Sequence, residues 1–134
     1  MIYLLDTNVV SDLVRNPQGV VASAISAAGE DRIVTSIIVS AELWFGAERS
    51  GSRRIARQLE VVLARIPILP FSDDADRHYA SVRAALQRQG TPISGNDVLI
   101  AAHALAINAT LVTGNLREFE RVGGLRLVNW LHST

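Results

Sequence analysis

Three acids occupy positions where chemistry is possible. Asp6 ends the apolar run IYLL, Glu42 lies inside IIVSAELWF, and Asp97 stands just ahead of VLIAAHALA. Each has an ordinary explanation. Asp6 opens DTN, three residue types that turn a chain and cap a helix. Asp97 follows Ser94 by three residues, the S-x-x-D spacing of a helix start, and a helix N-terminus favours a carboxylate by roughly 0.3–1 kcal/mol. Glu42 is harder to explain this way. On a helix its i±3 and i±4 neighbours are Ile38, Val39, Phe45 and Gly46. A buried unpaired charge there costs roughly several kcal/mol, so it needs an Arg, hydrogen bonds or a cation.

Taken together, the three acids suggest one site. Carboxylates gathered at one place repel and raise one another's pKa. A hard divalent cation removes that cost, and Mg²⁺ accepts oxygen ligands while keeping several waters. Such a site binds phosphates and activates water for phosphodiester hydrolysis. Thr7, Asn115 and Glu118 are placed to add oxygen atoms or to hold water in line.

The elements that must position these residues alternate in type. Strands are predicted at 2–5, 32–36, 67–71, 109–115 and 125–130. Helices are predicted at 6–14, 17–29 (opened by Pro17, closed near Gly29), 37–50, 51–66, 72–90 and 94–108, with a short turn or helix over LREFERV. This alternation implies βαβ units, hence an α/β fold with a mainly parallel sheet and helices on both faces. Ligands of such sheets lie beyond the carboxyl ends of the strands, where Asp6 and Asn115 fall.

Composition narrows the classes. A chain of 134 residues, 49% hydrophobic, suits one compact domain over 1–134. Aromatics are only 5%, so aliphatic residues and Ala must fill the core. There is no Cys and no Lys, which excludes thiol nucleophiles, zinc–thiolate sites and Schiff bases. A formal net charge of zero argues against a broad polyanion binder but leaves local patches open. No apolar run approaches the roughly 20 residues of a membrane span. MIYLLD lacks the basic start of a signal peptide, so a cytoplasmic protein is expected.

His103 lies six positions beyond Asp97, about 240° around a helix, and so is expected to be structural. His78 sits in a charged helix and His132 in the tail; no His pair suggests metal-free ribonuclease chemistry. Trp44 and Phe45 are expected in the core or at a dimer surface. Arg49, Arg53 and Arg57 recur every four residues, but Gly51 should interrupt the helix. A solvated face is the favoured reading, and guidance of RNA phosphates the other. Asp73, Asp74 and Asp76 read as first-turn acids of a helix.

The segments YLLDTNVVSDL, TSIIVSAELWFGAERS and GTPISGNDVLIAAHALAINATLVTGNLREFERVGGLRLVNW resemble PIN-domain proteins. The resemblance covers almost the whole chain and is nearest the toxin ribonucleases of VapBC-type toxin–antitoxin systems, in the FitB-like branch. It implies a three-layer α/β/α fold and Mg²⁺- or Mn²⁺-dependent endoribonuclease activity leaving 5′-phosphate and 3′-hydroxyl ends. It also implies a homodimer and inhibition by a small VapB-type antitoxin. The family's first acid falls on Asp6, its Glu on Glu42 (binding metal directly or through water) and its third acid on Asp97; Thr7 matches the Ser/Thr that commonly follows the first Asp. The fourth position, often Asp, is here Asn115, with Glu118 nearby. That departure keeps a non-catalytic, RNA- or partner-binding domain open as an alternative. A phosphatase using Asp6 as nucleophile is disfavoured, because Asn8 stands where D-x-D wants its second Asp.

Overall fold

The computed structural model describes residues 1–131, so His132 lies outside the described residues. Five parallel strands form the sheet: β1 (Tyr3–Leu5), β2 (Ile33–Ser36), β3 (Ile68–Leu69), β4 (Thr110–Val112) and β5 (Leu127–Val128). Their order is β3-β2-β1-β4-β5. Among the described residues seven α-helices connect and flank them: α1 (Thr7–Arg15), α2 (Val20–Ala28), α3 (Ile37–Ser50), α4 (Arg53–Leu63), α5 (Ala75–Gln89), α6 (Gly95–Ala106) and α7 (Leu116–Phe119). This is the three-layer α/β architecture expected from the alternation.

The apolar runs explain the layers. A parallel sheet covered by helices is buried on both faces, so its strands need no polar alternation. Leu4, Leu5, Val34, Leu111 and Val112 are accordingly buried, with Val9, Val39, Ile100 and Phe119 packed from the helices. The α6 run of Ala and Ile lets that helix lie close: Ile100, Ala101, Ala102 and Ala104 are all fully buried.

Boundaries differ from the sequence reading where local chemistry intervenes. α2 begins at Val20, after a turn at Pro17–Gly19, and a 3₁₀ turn (Glu30–Arg32) precedes β2. Asp73 takes a left-handed φ of 59°, so α5 starts at Ala75. Of the three acids expected in its first turn only Asp76 lies there; Asp74 instead pairs with His78 at 3.4 Å. Gly51, with φ 67°, closes α3 and separates it from α4, so Arg49 lies on one helix and Arg53 and Arg57 on the next. β3 and β5, at the two sheet edges, are only two residues long.

The strand order reverses between β1 and β4, and all five strands end on one side. The crevice beyond their carboxyl ends at that reversal is where such folds hold ligands. Asp6 leaves β1 there and Thr113 leaves β4 beside it. Among the described residues no helix is long and apolar enough to cross a membrane.

Candidate active site

Asp6 is the best-anchored acid. Its side chain caps α1, accepting from Thr7 N–H at 2.8 Å, and its second oxygen accepts from Thr113 Oγ1 at 2.7 Å. Thr113 is itself fully buried and accepts from the Asn115 N–H at 3.0 Å. Asp6 thus bridges β1 and β4 across the reversal point. Burial raises its pKa first of all, and the nearby Glu42 charge adds to this, while the Thr113 and Thr7 hydrogen bonds oppose it. A carboxylate buried with both oxygens engaged fits a ligand better than a nucleophile.

Glu42 reaches the same crevice from the second turn of α3, a helix capped by Ser36 Oγ accepting from Ile38 N–H at 3.0 Å. Thr7 Oγ1 donates to one Glu42 oxygen at 2.7 Å, and Asn96 Nδ2 donates to the other at 3.3 Å. Neutral donors, not an Arg, hold it: the ion pairs among the described residues are Arg65–Glu30 and His78–Asp74.

Asp97 occupies the first turn of α6. Ser94 caps that helix, its Oγ accepting from Asp97 N–H at 3.3 Å. The side chain lies within hydrogen-bonding reach of Glu118, on α7. Its pKa is pushed up to about 7, by burial first, then by sharing a proton with Glu118 and by the Asp6 and Glu118 charges; the Ser94 hydrogen bond opposes this. Two carboxyls this close disfavour being ionised together, a cost that either a proton or a bound cation removes.

Among the described residues no three acids already close around one point as a finished cage. They stand as two linked pairs, Asp6 with Glu42 through Thr7, and Asp97 with Glu118. The donors are all hard oxygens, two of them on acids whose pKa is raised, and this set fits a divalent cation such as Mg²⁺ or Mn²⁺.

The other sequence candidates separate clearly. Asn115 contributes its backbone N–H to Thr113, whereas Glu118, one turn on, meets Asp97. His103 is buried, 2.7 Å from Ser36 Oγ and edge-on to Phe71, away from the acids. Phe45 and Trp44 are not in the core: they are 65% and 37% exposed. Thr113 and Asn96 were not anticipated. The role of Thr113 follows from the pairing of β4 with β1, which sets it beside Asp6. A cavity of about 440 Å³ between α1, α2 and α4 has Leu13, Ile25, Val61 and Val62 in its lining and includes none of these acids.

The model of the PIN domain matches residues 3–125. The chain belongs to the PIN-domain family. Among PIN-domain relatives, ribonuclease VapC2 of Rickettsia felis is 39% identical over 132 residues, covering 97% of this chain and 98% of the relative. A tRNA(fMet)-specific endonuclease VapC of Shigella flexneri is 36% identical over 129 residues, covering 96% and 97%. The crystal structure of VapBC2 from Rickettsia felis bound to a promoter DNA fragment matches with TM-score 0.88 and 36% identity, over 97% of this chain and 99% of that one. FitAcB from Neisseria gonorrhoeae matches with TM-score 0.81 and 26% identity, over 98% and 100%, in line with the FitB-like branch.

Proposed function

We propose that this PIN domain, spanning 1–134, is a metal-dependent endoribonuclease, the toxin of a VapBC-type pair. It hydrolyses RNA phosphodiester bonds in the cytoplasm, works as a homodimer and is held silent by a cognate VapB-type antitoxin. The observation that carries the reading is the acid cluster at the β1/β4 reversal in a chain so similar to VapC ribonucleases. Asp6 and Asp97 would hold Mg²⁺ or Mn²⁺, with Glu42 as a direct or water-mediated ligand. The bound ion would supply Lewis acidity at the scissile phosphate and acidify the attacking water.

The chain's own residues would do the rest. Thr113 and the Thr7 N–H fix both oxygens of Asp6, which sets the direction of its remaining lone pairs. Thr7 and Asn96 orient Glu42 so that it can take a proton from water. Glu118, rather than Asn115, supplies the fourth carboxylate, because Glu118 already contacts Asp97. That contact favours a catalytic over a degenerate domain.

The test is direct. Purified antitoxin-free protein should cut RNA with Mg²⁺ or Mn²⁺ and stop with EDTA. Asp97→Asn should abolish cutting, because it removes a ligand of the ion that would acidify the water, while its melting temperature stays at or above that of the parent. Cutting that survives both treatments would sink the metal-dependent reading.

A further inference from the structure

Among the described residues Phe45 is the most exposed large apolar side chain on any helix, at 65%. It sits on α3 three residues beyond Glu42, within about 60° of it around the helix at 3.6 residues per turn. Helical side chains lean toward the N-terminus, so the ring leans toward the Glu42 turn. Gly46, beside it, leaves the surface open: a Cβ there would meet nothing within 4 Å. Arg49, one turn on, lies over the ring with its guanidinium carbon 5.6 Å from the centroid. Across the Gly51 turn, α4 adds Arg53, Arg54 and Arg57 around a shallow concavity of about 360 Å³. Along the chain an acid, an aromatic face, an open shelf and a run of cations therefore follow one another.

We propose that Phe45 and Arg49 form a subsite for a single-stranded RNA nucleotide next to the cleaved bond, Phe45 stacking on its base and Arg49 pairing with its phosphate. This rests on the ribonuclease reading above. Single-stranded RNA is recognised largely by stacking on aromatic or guanidinium planes beside a cationic track. Because every base has a π-face, the subsite tolerates sequence. The occupant is RNA rather than a second copy because charge and position agree: Arg49 and Glu42 flank Phe45 on its acid-facing side. Ile37 and Trp44, the apolar residues suited to a copy–copy contact, lie about 140–160° from Glu42 by the same helical geometry.

The test uses full-length protein carrying Asp97→Asn, in Mg²⁺, and a short single-stranded RNA containing 2-aminopurine. Binding should quench the probe. Adding Phe45→Ala should weaken binding by about 5–150-fold, the range for one lost stacked base, and remove the quench at every salt concentration. Phe45→Tyr should keep both, whereas Phe45→Leu should behave like Ala. Arg49→Gln should instead reduce the slope of log affinity against log salt by about 0.7, one phosphate contact on a single strand. If the parent binds RNA and Phe45→Ala or Phe45→Leu matches it, the subsite is overturned and the ribonuclease reading stands. If the parent binds no RNA, both fall. A drop in sedimenting mass for Phe45→Ala, in step with the lost affinity, would assign the ring to a copy–copy interface and overturn the subsite.

Discussion

Two polar clusters, one buried and one half-buried, lie on the same scaffold and differ in kind. One is His103 with Ser36; the other is the acid group around Asp6. Burial pushes both toward their neutral forms, lowering the His103 pKa and raising that of Asp6 and Asp97. The histidine cluster is complete. Ser36 Oγ accepts from Ile38 N–H, which leaves its own hydrogen for His103 Nδ1 at 2.7 Å, and the ring also meets the Pro70 carbonyl and the Phe71 edge. The acid cluster is not complete. Neutral donors engage Asp6 and Glu42, while burial and the neighbouring Glu118 push the Asp97 pKa up. Neutral polar groups can satisfy one another inside a fold, but gathered carboxylates need charge from outside.

The largest effect that would sharpen this contrast concerns His103. His103→Ala should cost about 2–4 kcal/mol, through a cavity and a lost buried hydrogen bond, read as a lower urea midpoint. Metal affinity per folded molecule should not change. A loss of metal affinity well below the unfolding transition would mean that the clusters are coupled, through the Ser36 cap and the helix that carries Glu42. Next comes Thr113→Val, which keeps shape and removes one hydroxyl from Asp6. Removing such a supporting partner typically costs 10–100-fold in metal affinity, measurable by Mn²⁺ titration calorimetry. Unchanged Mn²⁺ binding would show that Thr113 serves only the fold.

How much of this was legible beforehand depends on what each residue contacts. Asp6, Glu42 and Asp97 stood out because a carboxylate beside an apolar run contradicts its surroundings, and contradiction is visible in one dimension. Thr113 and Asn96 contradict nothing: Thr commonly ends strands and Asn commonly opens helices. Their roles arise from pairing β4 with β1 and from setting α6 against α3. The helices were legible from capping residues such as Ser94 and Gly90, which act locally. The short edge strands were overextended because their length is set by what remains to pair with, as β3 has only β2. Of the two places expected for Phe45, the core and a dimer surface, its 65% exposure overturns the core.

The smallest effect tests the acid cluster through pH. The Asp97 carboxyl moves from 3.8 to about 7 on folding without metal, so the folded state binds more protons than the unfolded one between those values. The stabilisation is complete below about pH 4 and is lost as pH rises through about 7. Because the group is partly exposed, solvent screening reduces its worth to about 1 kcal/mol, or roughly 3–5 °C for a chain of this size. In EDTA the melting temperature of the parent should therefore fall more between pH 4 and pH 7 than that of Asp97→Asn, other titrating groups being common to both. Mg²⁺ should remove the difference near pH 7, because the ion favours the ionised pair. Equal slopes in EDTA would mean that Asp97 and Glu118 tolerate each other ionised, and the acid cluster would then be as self-sufficient as the histidine one.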